Sequence, residues 1–356
     1  MDRATRYLNL LRNTHYGLAM PSGAAMNYAR TAWGQLTPAV ASPPCSFPLV
    51  FATITRRCNL HCSFCLWGAP PSDWKDYEMS PEQMEALLAT SALQKTLLVM
   101  MYGGEPLLNR DIIELVRLTR AHKHLVGLNT NGLLLADAAE DLVEAGLVDV
   151  QMSIYDNTFE KLTSVIPQVT HLFPLAIMYT MTSHRLQELG KADFESLFNV
   201  IAFCQQAGCA SVRIALVWET NNPGTQGETV TDTELYTALI TRCKERFPDV
   251  VFEGHLSTHH LPTGHFTVFF QSPLATGNPP RTCRRPWLTA VVDAKGNYFP
   301  CCAATTPSPV GSLTEEDVDA VINESGITAM RAGLLGPNLP LAPQCEGCPL
   351  LDDSYL

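Results

Sequence analysis

Charged residues are scarce in this sequence. Asp, Glu, Lys and Arg supply 17% of its 356 residues, below the usual quarter, whereas apolar residues supply 46%. Global disorder is thereby excluded, and enough apolar side chain is present for one large core. Cations are scarcer still: 24 Lys and Arg stand against 35 Asp and Glu, a net charge of −11, and no long basic run occurs. Nucleic acid is a poor partner for such a chain, because phosphate binding needs clustered cations. No apolar run reaches the roughly eighteen residues of a membrane-crossing helix. The N-terminal stretch MDRATRYLNLLRNTHYGLAM also lacks a continuous apolar segment, since Arg12, Asn13 and His15 interrupt it, and no targeting signal is expected. Together these absences predict a soluble, cytoplasmic protein with no membrane partner.

Cysteine is what the chain does have. Its 12 cysteines are too few for a small disulfide scaffold, and they concentrate in two clusters far apart in sequence. That pattern favours metal sites in a reducing compartment. In CNLHCSFC (58–65), Cys58, Cys62 and Cys65 share a short loop, separated by three and then two residues. Soft thiolates at this spacing suit zinc or an iron–sulfur cluster, and a purely structural site of either kind usually takes four protein ligands. A trio leaves one position open. Zinc is the competing reading, although structural zinc sites generally show two paired-ligand knuckles and this loop does not.

The segment after residue 50 alternates short β-rich runs with amphipathic stretches. FATIT (51–55), TLLVMMY (96–102), HLVGLN (124–129), VDVQMSI (148–154), PLAIMYTM (174–181) and SVRIALVW (211–218) read as strands. Helical patterns fall near 81–92, 110–122, 136–145, 157–165, 193–207 and 231–247. Six β–α units of this kind predict an α/β fold with a parallel sheet and right-handed crossovers, either an open partial barrel or a doubly wound sheet. Ligands gather at the carboxyl ends of such strands. CNLHCSFC follows the first strand, GGEP (103–106) the second and NTNG (129–132) the third, while Ser153 lies near the end of the fourth. Gly103 and Gly104 leave bare backbone for a ligand to approach, and Glu105 adds a carboxylate that can accept from an ammonium group.

These residues resemble the radical S-adenosylmethionine (SAM) enzymes, whose signature is a C-x3-C-x2-C loop with an aromatic residue, here Phe64, before the third cysteine. The resemblance covers roughly residues 50 to 255. It implies a partial (β/α)6 barrel in which Cys58, Cys62 and Cys65 hold a 4Fe–4S cluster and SAM occupies the open iron. It further implies that Gly103, Gly104 and Glu105 bind the amino group of SAM, that Ser153 meets its ribose or carboxylate, and that Asn129 faces the cofactor. One departure stands out: related enzymes often carry an arginine after the fourth strand, and no Arg occurs between Ile154 and His184. Lys161 and Arg213 are the cations that could take its place.

The second cysteine group reads CRRPWLTAVVDAKGNYFPC (283–301), followed by CEGC (345–348). WLTAVV and NYFPC suggest two strands joined by a turn at Asp293-Ala294-Lys295-Gly296. The spacing, with twelve residues from Cys283 to Gly296 and four more to Cys301, resembles the opening of SPASM and twitch domains. No cysteine follows Cys348, which points to the shorter, twitch-like form, a β-hairpin-plus-helix unit with one auxiliary 4Fe–4S cluster on Cys283, Cys301, Cys345 and Cys348. The Gly-anchored spacing selects Cys301 over Cys302. The expected organisation is an N-terminal extension (1–49), the barrel (50–255), a connecting loop (256–282) containing HLSTHHLPTGH, and the auxiliary domain (283–356). Cys204, Cys209 and Cys243 are expected to be small buried hydrophobes.

By this resemblance the protein is a radical SAM oxidoreductase. One electron, from a donor such as flavodoxin or ferredoxin, cleaves SAM to a 5′-deoxyadenosyl radical that abstracts hydrogen from substrate, and the auxiliary cluster accepts an electron as the product forms. A small natural product or sugar is the first expectation for the substrate. Alternatives are a redox-neutral epimerase, a peptide-modifying enzyme and, from another class, a non-catalytic iron–sulfur electron carrier or sensor.

Overall fold

The computed structural model describes residues 46–65, 77–217, 227–254, 266–271, 283, 285–301, 309–335 and 339–346. The extension up to residue 45, the HLSTHHLPTGH stretch from residue 255, Cys302 and Cys348 lie outside the described residues.

The six expected units form in order. Strands β1 (Leu49–Thr55), β2 (Leu98–Gly103), β3 (Leu125–Thr130), β4 (Asp149–Ile154), β5 (Leu175–Met181) and β6 (Ser211–Leu216) are each followed by helix. These helices are α1 (Pro81–Leu88), α2 (Ile112–Ala121), α3 (Leu135–Ala145), α4 (Asp156–Val169), the pair α5 (Ser183–Lys191) and α6 (Glu195–Gln206), and α7 (Thr233–Arg246). Local chemistry fixes several ends. Ser80 and Gln83 form a reciprocal capping box at the start of α1, and Thr182 and Asp232 cap α5 and α7 through their side chains. Helix α5 escapes the hydrophobic pattern because SHRLQELGK is mostly polar, yet its Leu186 and Leu189 are buried.

Further strands extend the sheet at both edges. Strands β7 (Val251–Gly254) and β8 (Thr267–Phe270) follow α7, so the stretch 256–282, expected as a connecting loop, contains a strand that pairs in parallel with β6. Its sequence, TVFF, is β-branched and aromatic and is fully buried. At the other edge, β9 (Thr289–Asp293) pairs in parallel with β1, and β10 (Asn297–Phe299) and β11 (Gly311–Ser312) continue antiparallel. Trp287 and Leu288, expected in a strand, instead lie in the helical turn α8 (Arg285–Leu288), where Thr289 Oγ1 donates to Arg285 O. Helices α9 (Val318–Ile322) and α10 (Ser325–Leu335) follow, and then a short helical turn at Pro343–Cys345. The strand order is β11-β10-β9-β1-β2-β3-β4-β5-β6-β8-β7, an open sheet and therefore a partial barrel.

Alternation divides the strands into two faces. Val50, Ala52, Ile54, Val99, Met101, Val126, Leu128, Val150, Met152, Ile177 and Ile214 share one core with the helices. The opposite, inner face begins with a separate apolar group, Leu49, Phe51, Met100, Val291 and Phe299, with Leu98 and Tyr102 packed against it. Farther round, the register carries this inner face through Asn129, Asp149, Gln151, Ser153, Met178, Thr180 and Arg213. The inner wall is thus apolar on one side and polar on the other.

Candidate cluster and cofactor site

The root of the cysteine loop is zipped to the end of β2. Gly104 N donates to Thr55 O at 2.8 Å and Glu105 N to Arg57 O at 2.7 Å. A Cβ on Gly103 (φ +132) would sit 2.2 Å from Thr55 O, and one on Gly104 would sit 2.1 Å from Arg57 O. These glycines are needed because backbone meets backbone immediately before Cys58, a closer constraint than the ligand approach that the motif suggested.

Glu105 is fully buried and ties three elements together. Its Oε1 accepts from Leu107 N (3.1 Å) and Thr130 Oγ1 (2.7 Å), and its Oε2 from Asn131 N (2.7 Å). Burial still raises its pKa above the ordinary carboxylate value, against these bonds, so the site favours a cation nearby. Asn131 reaches into the cysteine loop: its Nδ2 donates to Asn59 Oδ1 at 2.6 Å. Asn109 performs a similar task from beneath, donating to both Ile54 O and Met79 O.

The three cysteines are half-buried. Leu60 N donates to Cys58 Sγ (3.4 Å) and Cys65 N to Cys62 O (3.2 Å). Burial pushes the Cys58 thiol up and the Cys62 thiol up to about 11, and charge on Cys65 and Cys58 pushes Cys62 further the same way. Among the described residues no three ligating side chains close on a single-ion site. A mutually repelling, part-buried thiolate trio requires compensating positive charge, which an iron–sulfur cluster supplies. The donor set therefore fits such a cluster.

Tyr155, just past β4, was not anticipated. Its ring lies 5.7 Å from that of Phe64, its hydroxyl hydrogen-bonds Ser153, and it faces all three cysteines. Burial foremost, then Cys62, pushes the phenol up and keeps it neutral. Only its position after a strand end could have flagged it. Asn129 stands on the inner face at the end of β3, and its buried Oδ1 has no partner among the described residues. The missing arginine is not replaced by the suggested cations. Lys161 is exposed on α4, and Arg213 is buried and drawn to Asp149.

The second centre lies at the other end of the sheet. Cys283, Cys301 and Cys345 share a pocket with Trp287, Met330 and Leu334. The hairpin turns where expected, with Asp293 Oδ1 accepting from Lys295 N and Asn297 N and with Gly296 at φ +76. Burial, and secondarily Cys283, pushes the Cys345 thiol up to about 12. Sulfur donors gathered in an apolar pocket again fit an iron–sulfur cluster.

An open parallel sheet with a cysteine trio at its strand ends, joined to a second group of cysteines, agrees with the family comparisons. Residues 52–223 match the radical SAM superfamily, and residues 283–349 match an iron–sulfur cluster-binding domain, SPASM. The chain thus carries a radical SAM domain and a SPASM iron–sulfur domain, which imply SAM, a 4Fe–4S cluster and auxiliary iron–sulfur as cofactors.

A probable GTP 3′,8-cyclase of Methanocaldococcus jannaschii is 29% identical over 163 residues, covering 44% of this chain and 54% of that protein. The GTP 3′,8-cyclase of Chlorobaculum tepidum is 37% identical over 115 residues, covering 32% of this chain and 34% of that protein. The chain thus spans about half or less of these two relatives. A PqqA peptide cyclase of Rhizobium meliloti is 24% identical over 291 residues, covering 76% of this chain and 70% of that protein. In solved structures, Streptococcus suis SuiB matches with TM-score 0.60 at 13% identity, covering 92% of this chain and 76% of SuiB. At these identities the structural likeness speaks to fold.

Proposed function

We propose that this chain is a peptide-modifying radical SAM oxidoreductase, with its barrel over residues 50–255 and its auxiliary unit over 283–356. Cys58, Cys62 and Cys65 would hold the SAM-binding cluster, and Cys283, Cys301, Cys345 and Cys348 one auxiliary cluster. When bound, SAM and the clusters supply a 5′-deoxyadenosyl radical for hydrogen abstraction and an acceptor for the substrate's remaining electron.

The chain's own residues position and insulate. Glu105 accepts three hydrogen bonds, leaving acceptor capacity for the SAM ammonium. The orphaned Asn129 Oδ1 offers an acceptor to a ribose hydroxyl, and Ser153, held by Tyr155, meets the polar groups beside it. Gly103 and Gly104 keep the loop root close enough for these contacts. Phe64 against Tyr155 shields the thiolates from water.

The inner wall carries the choice of substrate class. Among its described strand positions the one cation is Arg213, drawn to Asp149, which offers little to a nucleotide polyphosphate. Phe51, Met100, Tyr102 and Phe299 on one side, with Gln151, Ser153 and Thr180 on the other, suit an apolar side chain and its neighbouring amides. A small natural product stood first at the level of sequence. The wall and the relative that spans both units, named for a peptide substrate, move the peptide ahead. A flavodoxin- or ferredoxin-type protein would serve as donor.

The test is anaerobic incubation of the reconstituted chain with SAM, reductant and either candidate precursor peptides or GTP. Peptide that loses two hydrogen atoms in step with 5′-deoxyadenosine supports the reading. Turnover of GTP, or solvent deuterium gained by peptide without loss of hydrogen, overturns it.

A further inference from the structure

The most deeply buried cation in the C-terminal unit is Arg331, with no exposed surface. It lies on α10 directly after Met330, which lines the Cys283/Cys301/Cys345 pocket. Its Nε and Nη2 donate to Pro286 O at 3.1 and 3.0 Å, and its Nη1 donates to Ile322 O at 2.8 Å. Pro286 sits three residues after Cys283 and beside Trp287, another pocket residue. The guanidinium also lies within electrostatic reach of the Tyr298 hydroxyl, and Tyr298 in turn of Cys301. Arg331 therefore bridges the segments that carry two of the thiolates.

Burying a guanidinium is costly, and arginine does not relieve that cost by losing its proton at neutral pH. Pinning three segments could be done by a neutral side chain at lower cost. What a neutral side chain cannot supply is charge. A cubane held by four thiolates is an anion and gains a further negative charge when it takes one electron, so a fixed cation buried beside it, in surroundings of low dielectric, favours the reduced form.

We propose that Arg331 tunes the auxiliary cluster, its buried positive charge raising that cluster's reduction potential so that it can take an electron from a substrate radical. The inference rests on the auxiliary cluster assigned under the proposed function. Arg331 touches neither substrate nor SAM and acts through the cluster alone.

The experiment is an EPR-monitored redox titration of the full chain carrying Cys58→Ala, Cys62→Ala and Cys65→Ala, so that only the auxiliary cluster contributes. Absence of any cluster signal in that background would refute the cluster assignment itself, separately from the role of Arg331. With the signal present, Arg331→Met should lower the ratio of reduced to oxidised cluster at fixed applied potential by about tenfold, equivalent to about 59 mV for a one-electron couple. Arg331→Gln, which can still donate to Pro286 O, carries the same expectation and serves where the Met variant does not load iron. Arg331→Lys and Tyr298→Phe keep the charge and should stay within about threefold of the parent ratio. Coincident titration curves for the neutral variants and the parent, at equal iron content, would overturn the proposal. So would a Tyr298→Phe shift as large as that of the neutral variants, which would assign the effect to the Tyr298 hydroxyl.

Discussion

Replacing Glu105 by Gln separates a site that merely holds a turn from one that also holds a cofactor. The carboxylate receives Thr130 Oγ1 and Leu107 N on one oxygen and Asn131 N on the other. A glutamine has one acceptor oxygen, so if it keeps Thr130 and Leu107 its Nε2 confronts the Asn131 N–H, donor against donor. A buried donor left without a partner costs about 1–3 kcal/mol, and the charge-assisted bond lost is of similar size. Part is recovered because the neutral amide is easier to bury than a carboxylate whose pKa burial already raises. A net loss of about 2 kcal/mol follows, or about 3 °C in melting temperature for a chain of this size. Asn131 also carries Asn59, so the strain passes to the cysteine loop. Thermal unfolding, iron analysis and SAM equilibrium binding should be measured on one preparation. The expected result is a lowered melting temperature, retained iron and SAM binding weakened about tenfold, since a charged partner of the ammonium is gone. Thr130→Val loses one donor and keeps the charge, so it should lower stability slightly and leave SAM affinity unchanged. Native SAM affinity in Glu105→Gln would reduce the glutamate to a structural tie and refute the reasoning.

Gly104→Ala places a methyl 2.1 Å from Arg57 O at the loop root, so reconstituted iron should fall from about eight to about four per chain, read by colorimetric iron analysis. Full iron loading would show that the zipper is dispensable. Cys301→Ala should likewise lose about four irons, whereas Cys302→Ala should retain about eight; the reverse outcome would assign the ligand to the wrong neighbour. His124 is buried, with Nδ1 donating to Thr96 O at 2.8 Å, and burial holds it below its ordinary value of 6.5. Because the folded value is depressed, its contribution is present above pH 6.5 and is lost as pH falls through the folded value, so His124→Gln should flatten the acid limb of the stability–pH curve below that point. Parallel acid limbs for the two proteins would argue against it.

The six β–α units were legible because each strand is a near-continuous apolar run and each main helix has an apolar stripe, and the strand-end motifs fell where such folds keep their ligands. What escaped the sequence was of two kinds. Helix α5 is too polar to show a stripe, and its start depends on the single hydrogen bond from Arg185 N to Thr182. Strand β8 is only four residues long, and the histidine-rich sequence before it, with one proline and one glycine, carries no strand signal. The site's tertiary bonds were also out of reach. Nothing in NTNG says that Asn131 will find Asn59, or in Tyr155 that its ring will lie on Phe64, because such partners are chosen by strand register and not by spacing along the chain.

Register also explains how one chain can serve two metal centres. Strands β1 and β9 run side by side, with Leu49 opposite Thr289 and Thr53 opposite Asp293. The cysteine trio follows the carboxyl end of β1, whereas Cys283 precedes the amino end of β9 and Cys301 follows β10 back toward that same end. From the level of Leu49 to that of Thr55 the strands rise roughly 20 Å, so the two centres occupy opposite ends of the paired strands. The inner face between those levels is the apolar patch of Phe51, Met100, Tyr102, Val291 and Phe299. At the upper end the hairpin turn is clasped to the exit of β1, with Lys295 Nζ 4.4 Å from the centre of the Tyr77 ring and the Arg56 guanidinium 5.2 Å from it. Strand pairing and this clasp fix the spacing between the two cysteine groups, so a substrate seated on the inner wall would lie between the proposed site of radical formation and the proposed electron acceptor.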